Sequence, residues 1–148
     1  RIVSKEKSKS FMGSEFSNAN MTAPGMDDFT YRLLDQENFQ GKTCFVVESK
    51  PLSTDQEDEY GYSKSISWVD KNSYLVYQIH YFDFDGELFK TITNSEFRKL
   101  DEKKNKYMVT GMQAENHRNK RSSAMVMEKV AVTSTDPAYF TVAYLEKE

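Results

Sequence analysis

YSKSISWVDKNSYLVYQIHYFDFDGELFKTIT (residues 62–93) decides the fold of this chain. Two turn signals, Asp70-Lys71-Asn72-Ser73 and Asp83-Phe84-Asp85-Gly86, interrupt runs rich in Ile, Val, Tyr, Phe and Trp. Asp, Asn, Ser and Gly favour tight reversals, while β-branched and aromatic side chains suit a pleated surface, so the stretch predicts an antiparallel three-strand meander. In its first strand Tyr62, Ile66 and Trp68 share one parity and Ser63, Ser65 and Ser67 the other. That period of two predicts a buried, structural Trp68 beside Ile66 and a polar outer face. The middle strand carries large side chains on both parities: Tyr74, Val76 and Phe82 against Leu75, Tyr77, Ile79 and Tyr81. One face can meet the core; the other calls for helices, a second layer, a ligand or a partner.

Upstream, TCFVVE (residues 43–48) reads as a central strand and residues 29–34 as its neighbour, with Gly41 supplying a positive φ between them. Residues 50–61 contain Pro51 and the acids Asp55, Glu57, Asp58 and Glu59 without apolar periodicity, and read as a solvated loop. Residues 11–29 are too rich in Gly, Ser, Asn and Pro for a long helix or a central strand. They predict an irregular segment with one short helical turn opened by Ser17, anchored by Phe11, Phe16 and Met21. The expected organisation is an irregular N-terminal arm over 1–28 and a sheet domain over 29–148.

Downstream, residues 96–106 read as a short exposed strand and a turn at Asn105. Residues 107–116 and 122–133 read as a long hairpin around HRNKR (residues 117–121). Met108, Met112, Met125 and Met127 share a parity there, a methionine-rich surface. Asp136 before Pro137 pairs an N-cap with a first-turn proline, and Phe140, Ala143 and Tyr144 follow at i, i+3 and i+4. A short C-terminal helix closing one sheet face is expected. The predicted class is mainly β, an antiparallel sheet of at least six strands.

With 148 residues the chain suits one domain, and 38% hydrophobic against 29% charged residues excludes a disordered chain. A net charge of -3 gives no general attraction to nucleic acid. No apolar run approaches the roughly 20 residues of a membrane span, and none resembles a signal peptide. The start at Arg1 leads us to expect a processed or trimmed product. A single cysteine, Cys44, excludes an internal disulfide.

The residues that could carry chemistry are few. His80 and His117 have no Cys, Asp or Glu at metal-ligand spacing, and His80 reads as a sheet histidine. Asp83 to Gly86 starts like a calcium loop, but its glycine is fourth rather than sixth, so a hairpin turn is expected. Cys44 reads as a small core residue. The acidic cluster reads as solvated, with weak cation binding as the alternative; HRNKR reads as a charged hairpin tip, with phosphate or lipid head groups as the alternative. Asn20-Met21-Thr22 matches a glycosylation sequon. No nucleophile, base and orienter can be assembled, so the chain is read as no enzyme, with no cofactor and no metal.

The order of segments resembles the outer-membrane lipoprotein-sorting protein family of bacteria, the LolA-like periplasmic carriers. The matching pieces are FMGSEFSNANM (residues 11–21), Tyr31-Arg32-Leu33-Leu34, GKTCFVVESKP (residues 41–51), SWVDKNSYLVYQIHYFDFDGELFKT (residues 67–91), and Phe140-Thr141 with Leu145. Family members carry an N-terminal helix and several strands upstream of the glycine-serine-acidic-phenylalanine segment. The chain therefore resembles the C-terminal part of one such domain, about 60% of its usual size.

The resemblance implies a curved, unclosed half-barrel whose apolar concave face is covered by helices and holds lipoprotein acyl chains or other lipids without covalent chemistry. It implies a periplasmic protein that passes its cargo to an outer-membrane acceptor. The alternative is a non-enzymatic periplasmic interaction or sensor module of the same fold. Tyr74, Val76, Phe82, Leu88, Met112 and Val126, or their opposite-parity neighbours, are the candidate pocket lining. Exposed sheet edges would favour a homodimer. Interspersed Tyr, Met and Gln would make acyl binding reversible, with little head-group selectivity.

Overall fold

The computed structural model describes residues 7–101 and 106–146. Its centre is an open seven-stranded antiparallel sheet in which every strand pairs with the next along the chain. The strands are β1 (Phe29–Phe39), β2 (Lys42–Pro51), β3 (Lys64–Asp70), β4 (Val76–Phe82), β5 (Leu88–Asp101), β6 (Lys106–Asn116) and β7 (Arg121–Val126). The turn at Asn105 lies outside the described residues. Two short helices, α1 (Thr54–Tyr60) and α2 (Val142–Leu145), complete a mainly β chain. Among the described residues no helix is long and apolar enough to cross a membrane.

The reversals follow from local chemistry. Gln40 and Gly41 both take positive φ, 50° and 82°, the pattern of the hairpin turn whose twist matches its strands. The next two hairpins on the path from β3 to β5 are closed by aspartates. Asp70 accepts from the amides of Asn72 (2.7 Å) and Ser73 (2.9 Å), and Asp83 from those of Asp85 (3.0 Å) and Glu87 (2.9 Å). In the last hairpin Asn116 accepts from the Arg118 amide at 3.0 Å. A side-chain oxygen that takes amide protons two residues on mimics a backbone turn, which is why Asp and Asn stand at these positions.

Residues 54–60 are helical, where a solvated loop was expected. Ser53 accepts from the Gln56 amide at 3.3 Å, Asp55 and Glu57 sit in the first turn, and Gly61 ends the helix at φ 79°. The acids that hid the periodicity favour the positive end of the helix dipole, and Tyr60 anchors the helix in the core.

The two sides of the sheet differ from the expected polarity. Residues 11–24 cross one face, here the covered face, where Phe16, Phe29, Tyr60, Tyr62, Tyr81, Ile92 and Ala114 form the core. Along β3 this face carries Ser65 and Ser67, opposite Tyr81 and Ile79 of β4. Trp68, expected to be buried, is half-exposed on the other, open face. There it lies 4.6 Å from the His80 ring and donates to Glu37 Oε2 at 2.9 Å. A bulge between Trp68 and Val69 makes Val76 the partner of Val69 while Gln78 pairs with Trp68, so parity switches inside β4. Val76, Ile79 and Tyr81 then share the covered face although their numbering does not alternate. Half-burial sets the expected size of the effect: Trp68→Ala should cost about 1.5–3 kcal/mol in urea unfolding, roughly half of what a fully buried aromatic costs. A loss above that range would mean that the open face is covered.

The C-terminal expectation is met in part. Asp136 caps a turn of 3-10 helix at Pro137–Phe140 by accepting from the Ala138 amide at 2.9 Å, and α2 follows. Phe140 is 79% exposed and Val142 67%, so these side chains close no sheet face. The hairpin strand β7 also stops at Val126, short of the expected Thr133.

Three buried or half-buried aspartates set a pH dependence. Tyr60 Oη, donating at 2.7 Å, holds Asp28 below the usual carboxylate range, the Ser73 and Asn72 amides do the same for Asp70, and the Glu87 amide for Asp83. A carboxyl depressed by folding stabilises the native state above its unfolded pKa of about 3.9, and the contribution is lost as pH falls through the lower folded value. The melting temperature should therefore fall on acidification below about pH 4, and Asp70→Asn should flatten that fall while lowering stability at pH 7. An unchanged acid limb in Asp70→Asn would remove this assignment.

Candidate functional site

The covered face owes its site to the segment that crosses it. Met12 and Gly13 take positive φ, 51° and 75°, in a tight loop closed by the Phe11 amide donating to the Phe16 carbonyl at 2.8 Å. The loop drives Phe16 into the core, where it is 1% exposed. Beside it, Glu15 accepts from Asn116 Nδ2 at 2.8 Å and pairs with Arg121 Nε at 3.3 Å, tying the segment to β6 and β7. Ser17 opens the short turn Asn18–Met21, as its place in the sequence predicts, and Phe11 and Met21 pack against the core. Asn20 Oδ1 accepts from the Ser17 amide (2.8 Å), Ser17 Oγ (2.9 Å) and Lys90 Nζ (3.2 Å), and Asn20 Nδ2 donates to Tyr81 Oη (3.2 Å). The sequon asparagine is thus a structural hub.

Between this crossing segment, the strap (residues 11–24), and the sheet lie two adjoining hollows of about 210 Å³ and about 340 Å³. Ala19, Asn20, Thr22 and Pro24 of the strap face Ile79, Ile92, Val109 and Met112 across the first. The second runs on to Met26, Phe29, Tyr31, Val47, Val69 and Val76, with Ser65 and Ser67 on its floor. Pro24, Tyr62, Ile79 and Tyr81 line both, so the two adjoin, and together they are the groove of this face, with lining from β1 to β6. Its larger hollow falls at the lower end of the roughly 300–1,000 Å³ of small-molecule pockets. Burial pushes the phenols of Tyr62 and Tyr81 well above their usual range, so both stay uncharged at neutral pH. What such a surface does is enclose apolar groups.

Of the six lining candidates from the sequence, the structure brings Val76 and Met112 to this groove. Tyr74 sits in the β3–β4 turn at φ 58° and is 72% exposed. Phe82 lies on the open face under Lys64 Nζ, 4.8 Å from the ring centroid, with Leu88 as its neighbour in register. Val126 pairs with Gly111 and is exposed. Ile79 and Tyr81 come from the opposite-parity set that the sequence kept as the alternative lining, and the groove residues it did not point to are Tyr62 and the strap residues Ala19, Asn20 and Pro24. The signal for the strap was present in its anchors Phe11, Phe16 and Met21; the parity signal was erased by the bulge.

Elsewhere the groups with chemical potential are occupied. His80 pairs with Gln78 Oε1 at 2.9 Å, and burial followed by the charge of His117 lowers its pKa. Cys44 is buried, and burial with Asp70 nearby pushes its thiol up. Asp83 is held by Arg118 in addition to its turn amides. Among the described residues no three His, Cys, Asp or Glu side chains gather as a metal set.

An open antiparallel sheet crossed by a strap, with an apolar groove between them, is the LolA-like fold, and the comparisons bear out that resemblance. A domain from Vibrio parahaemolyticus described as an outer membrane lipoprotein-sorting protein is 27% identical with a TM-score of 0.86, over 99% of this chain and 60% of its own. A DUF1329 family protein from Desulfovibrio piger is 27% identical with a TM-score of 0.81, over 99% of this chain and 59% of its own. A LolA superfamily protein from Nitrosomonas europaea, 18% identical over 94% of this chain and 60% of its own, shares the fold with a TM-score of 0.72. The chain spans about 60% of the length of these structures. A family model described as "Uncharacterized protein" matches residues 1–147, and the chain belongs to that family. No curated protein matches it.

Proposed function

We propose that this protein binds acyl chains of lipoproteins or other lipids in the strap groove, without covalent chemistry, and carries them through the periplasm to an outer-membrane acceptor. In this reading the chain is the C-terminal part of one LolA-like domain and acts as no enzyme. The observation that carries it is the pair of adjoining, mainly apolar hollows beside the strap, which share Pro24, Tyr62, Ile79 and Tyr81. The sorting role written into the description of the Vibrio parahaemolyticus relative supports it. Val76 and Met112 are the proposed lining among the sequence candidates.

Each buried CH₂ is worth about 0.8 kcal/mol, so a partly enclosed chain of sixteen carbons gains enough to bind and still leaves. Exposed outer edges of β1 and β7 also make pairing between two copies a part of this proposal. Titration of a fluorescent fatty acid tests the reading: saturable uptake is expected. Absence of uptake would favour the interaction module, for which the aromatic row Phe39, Trp68, Tyr77 and Phe97 on the other side of the sheet is the supporting observation.

A further inference from the structure

Lys90 is the buried lysine among the described residues, 8% exposed on the covered face between Tyr81 of β4 and Asn116 of β6. Its Nζ lies 5.0 Å from the centroid of the Tyr81 ring and 3.2 Å from Asn20 Oδ1, and both residues line the groove. No carboxylate of a described residue comes within ion-pair distance of it. Glu15 is the acid whose field reaches it, but that carboxylate is held by Arg121 and Asn116. The one acceptor Lys90 has among the described residues is oversubscribed. Asn20 Oδ1 already takes two shorter bonds from Ser17, at 2.8 and 2.9 Å, and a carbonyl oxygen offers two lone pairs. A buried ammonium with one shared acceptor and no counter-ion among the described residues is costly, and the cost falls when an anion arrives.

We propose that Lys90 is the anion-recognition group at the strap end of the groove, selecting acyl chains that carry a carboxylate or phosphate head over neutral ones. The inference rests on the acyl-chain reading above and replaces the weak head-group selectivity expected from the sequence. An anionic head entering past Asn20 takes the place of the amide oxygen on Nζ, while the chain lies along Ile79 and Ile92. A chainless anion lacks that apolar hold, so head and chain are recognised together.

The charged and titratable groups facing Lys90 are Glu15 on the strap, Tyr81 on β4, Arg118 across Phe89, and Arg121 beside Asn116. Burial, opposed by Glu15, pushes Lys90 down to about 8, while burial holds the Tyr81 phenol far above its usual value. A bound anion favours the ammonium, so binding near pH 8.5 takes up a proton.

The test titrates one fluorescently tagged fatty acid and its methyl ester into the protein at pH 7, with acetate as a chainless competitor. The acid should bind about tenfold tighter than the ester, acetate should displace neither, and Lys90→Met should bring the acid to within about twofold of the ester. In wild type, raising the pH from 7 to 10 should erase the preference, an arm that needs no variant to fold. Equal affinity for acid and ester at pH 7, or displacement by millimolar acetate, overturns the assignment of Lys90 and leaves acyl binding standing. Failure of both probes to bind removes the acyl-chain reading itself.

Discussion

Phe16→Ala should lower the stability of the protein by about 3–5 kcal/mol, the range for emptying a buried aromatic site. Phe16 is 1% exposed and belongs to one core cluster with Tyr81 of β4, Ile92 of β5 and Ala114 of β6. The loop that delivers it is fixed by the Ser14 Oγ bond to the Phe11 carbonyl and by Glu15, so the neighbouring strap cannot collapse into the space left behind. Single domains are stable by about 5–15 kcal/mol, which makes this loss about a fifth or more of the whole. In urea unfolding, with a slope of about 1–3 kcal/mol per molar, the midpoint should drop by more than about 1 M at unchanged slope. A loss below about 1 kcal/mol would mean that the strap is no part of the cooperative unit, and the groove would then have one fixed wall instead of two.

The second large effect is on binding. Val76→Glu places a carboxylate on the floor of the groove, where Val76 lies opposite Val69 and beside Ile79. In the empty protein Val76 is half-exposed, so the new charge keeps water and the sheet stays folded. With an acyl chain bound, that water is displaced, and the penalty for stripping a carboxylate is still several kcal/mol after relaxation. A loss of about 2–3 kcal/mol in affinity, roughly 30- to 150-fold, is expected in fatty-acid titration. Phe82→Glu is the matched control. Phe82 shares the sequence parity of Val76 but lies on the open face beside Lys64, so binding should be unaffected. If the two variants behaved alike, the groove would not be where the chain binds.

Those paired variants also mark where the sequence was readable and where it was not. Turn chemistry is local, and it located Asp70, Asp83 and the tip after Asn116, and with them the meander. The strap was legible for the same reason: Ser17 caps its turn within three residues, and Phe11, Phe16 and Met21 stand out among polar neighbours. Strand faces are not local. One extra residue at the Trp68/Val69 bulge moves Val76 to the side of Ile79 and Tyr81, and no parity count across β4 survives that. Helix α1 was hidden by composition, since an acidic heptamer has almost no apolar period, although Ser53 and Gly61 flank it correctly. The C-terminal helix was read from its cap, but a cap specifies a start and says nothing about which surface the helix reaches.

The position of Trp68 has a practical side. It is the only tryptophan, and it sits across the sheet from the groove against His80 and Glu37. Its emission should therefore follow unfolding, and protonation of the neighbouring imidazole, while staying blind to what fills the other face. A single sample thus carries two independent optical channels, an added label for cargo and the native indole for integrity of the scaffold.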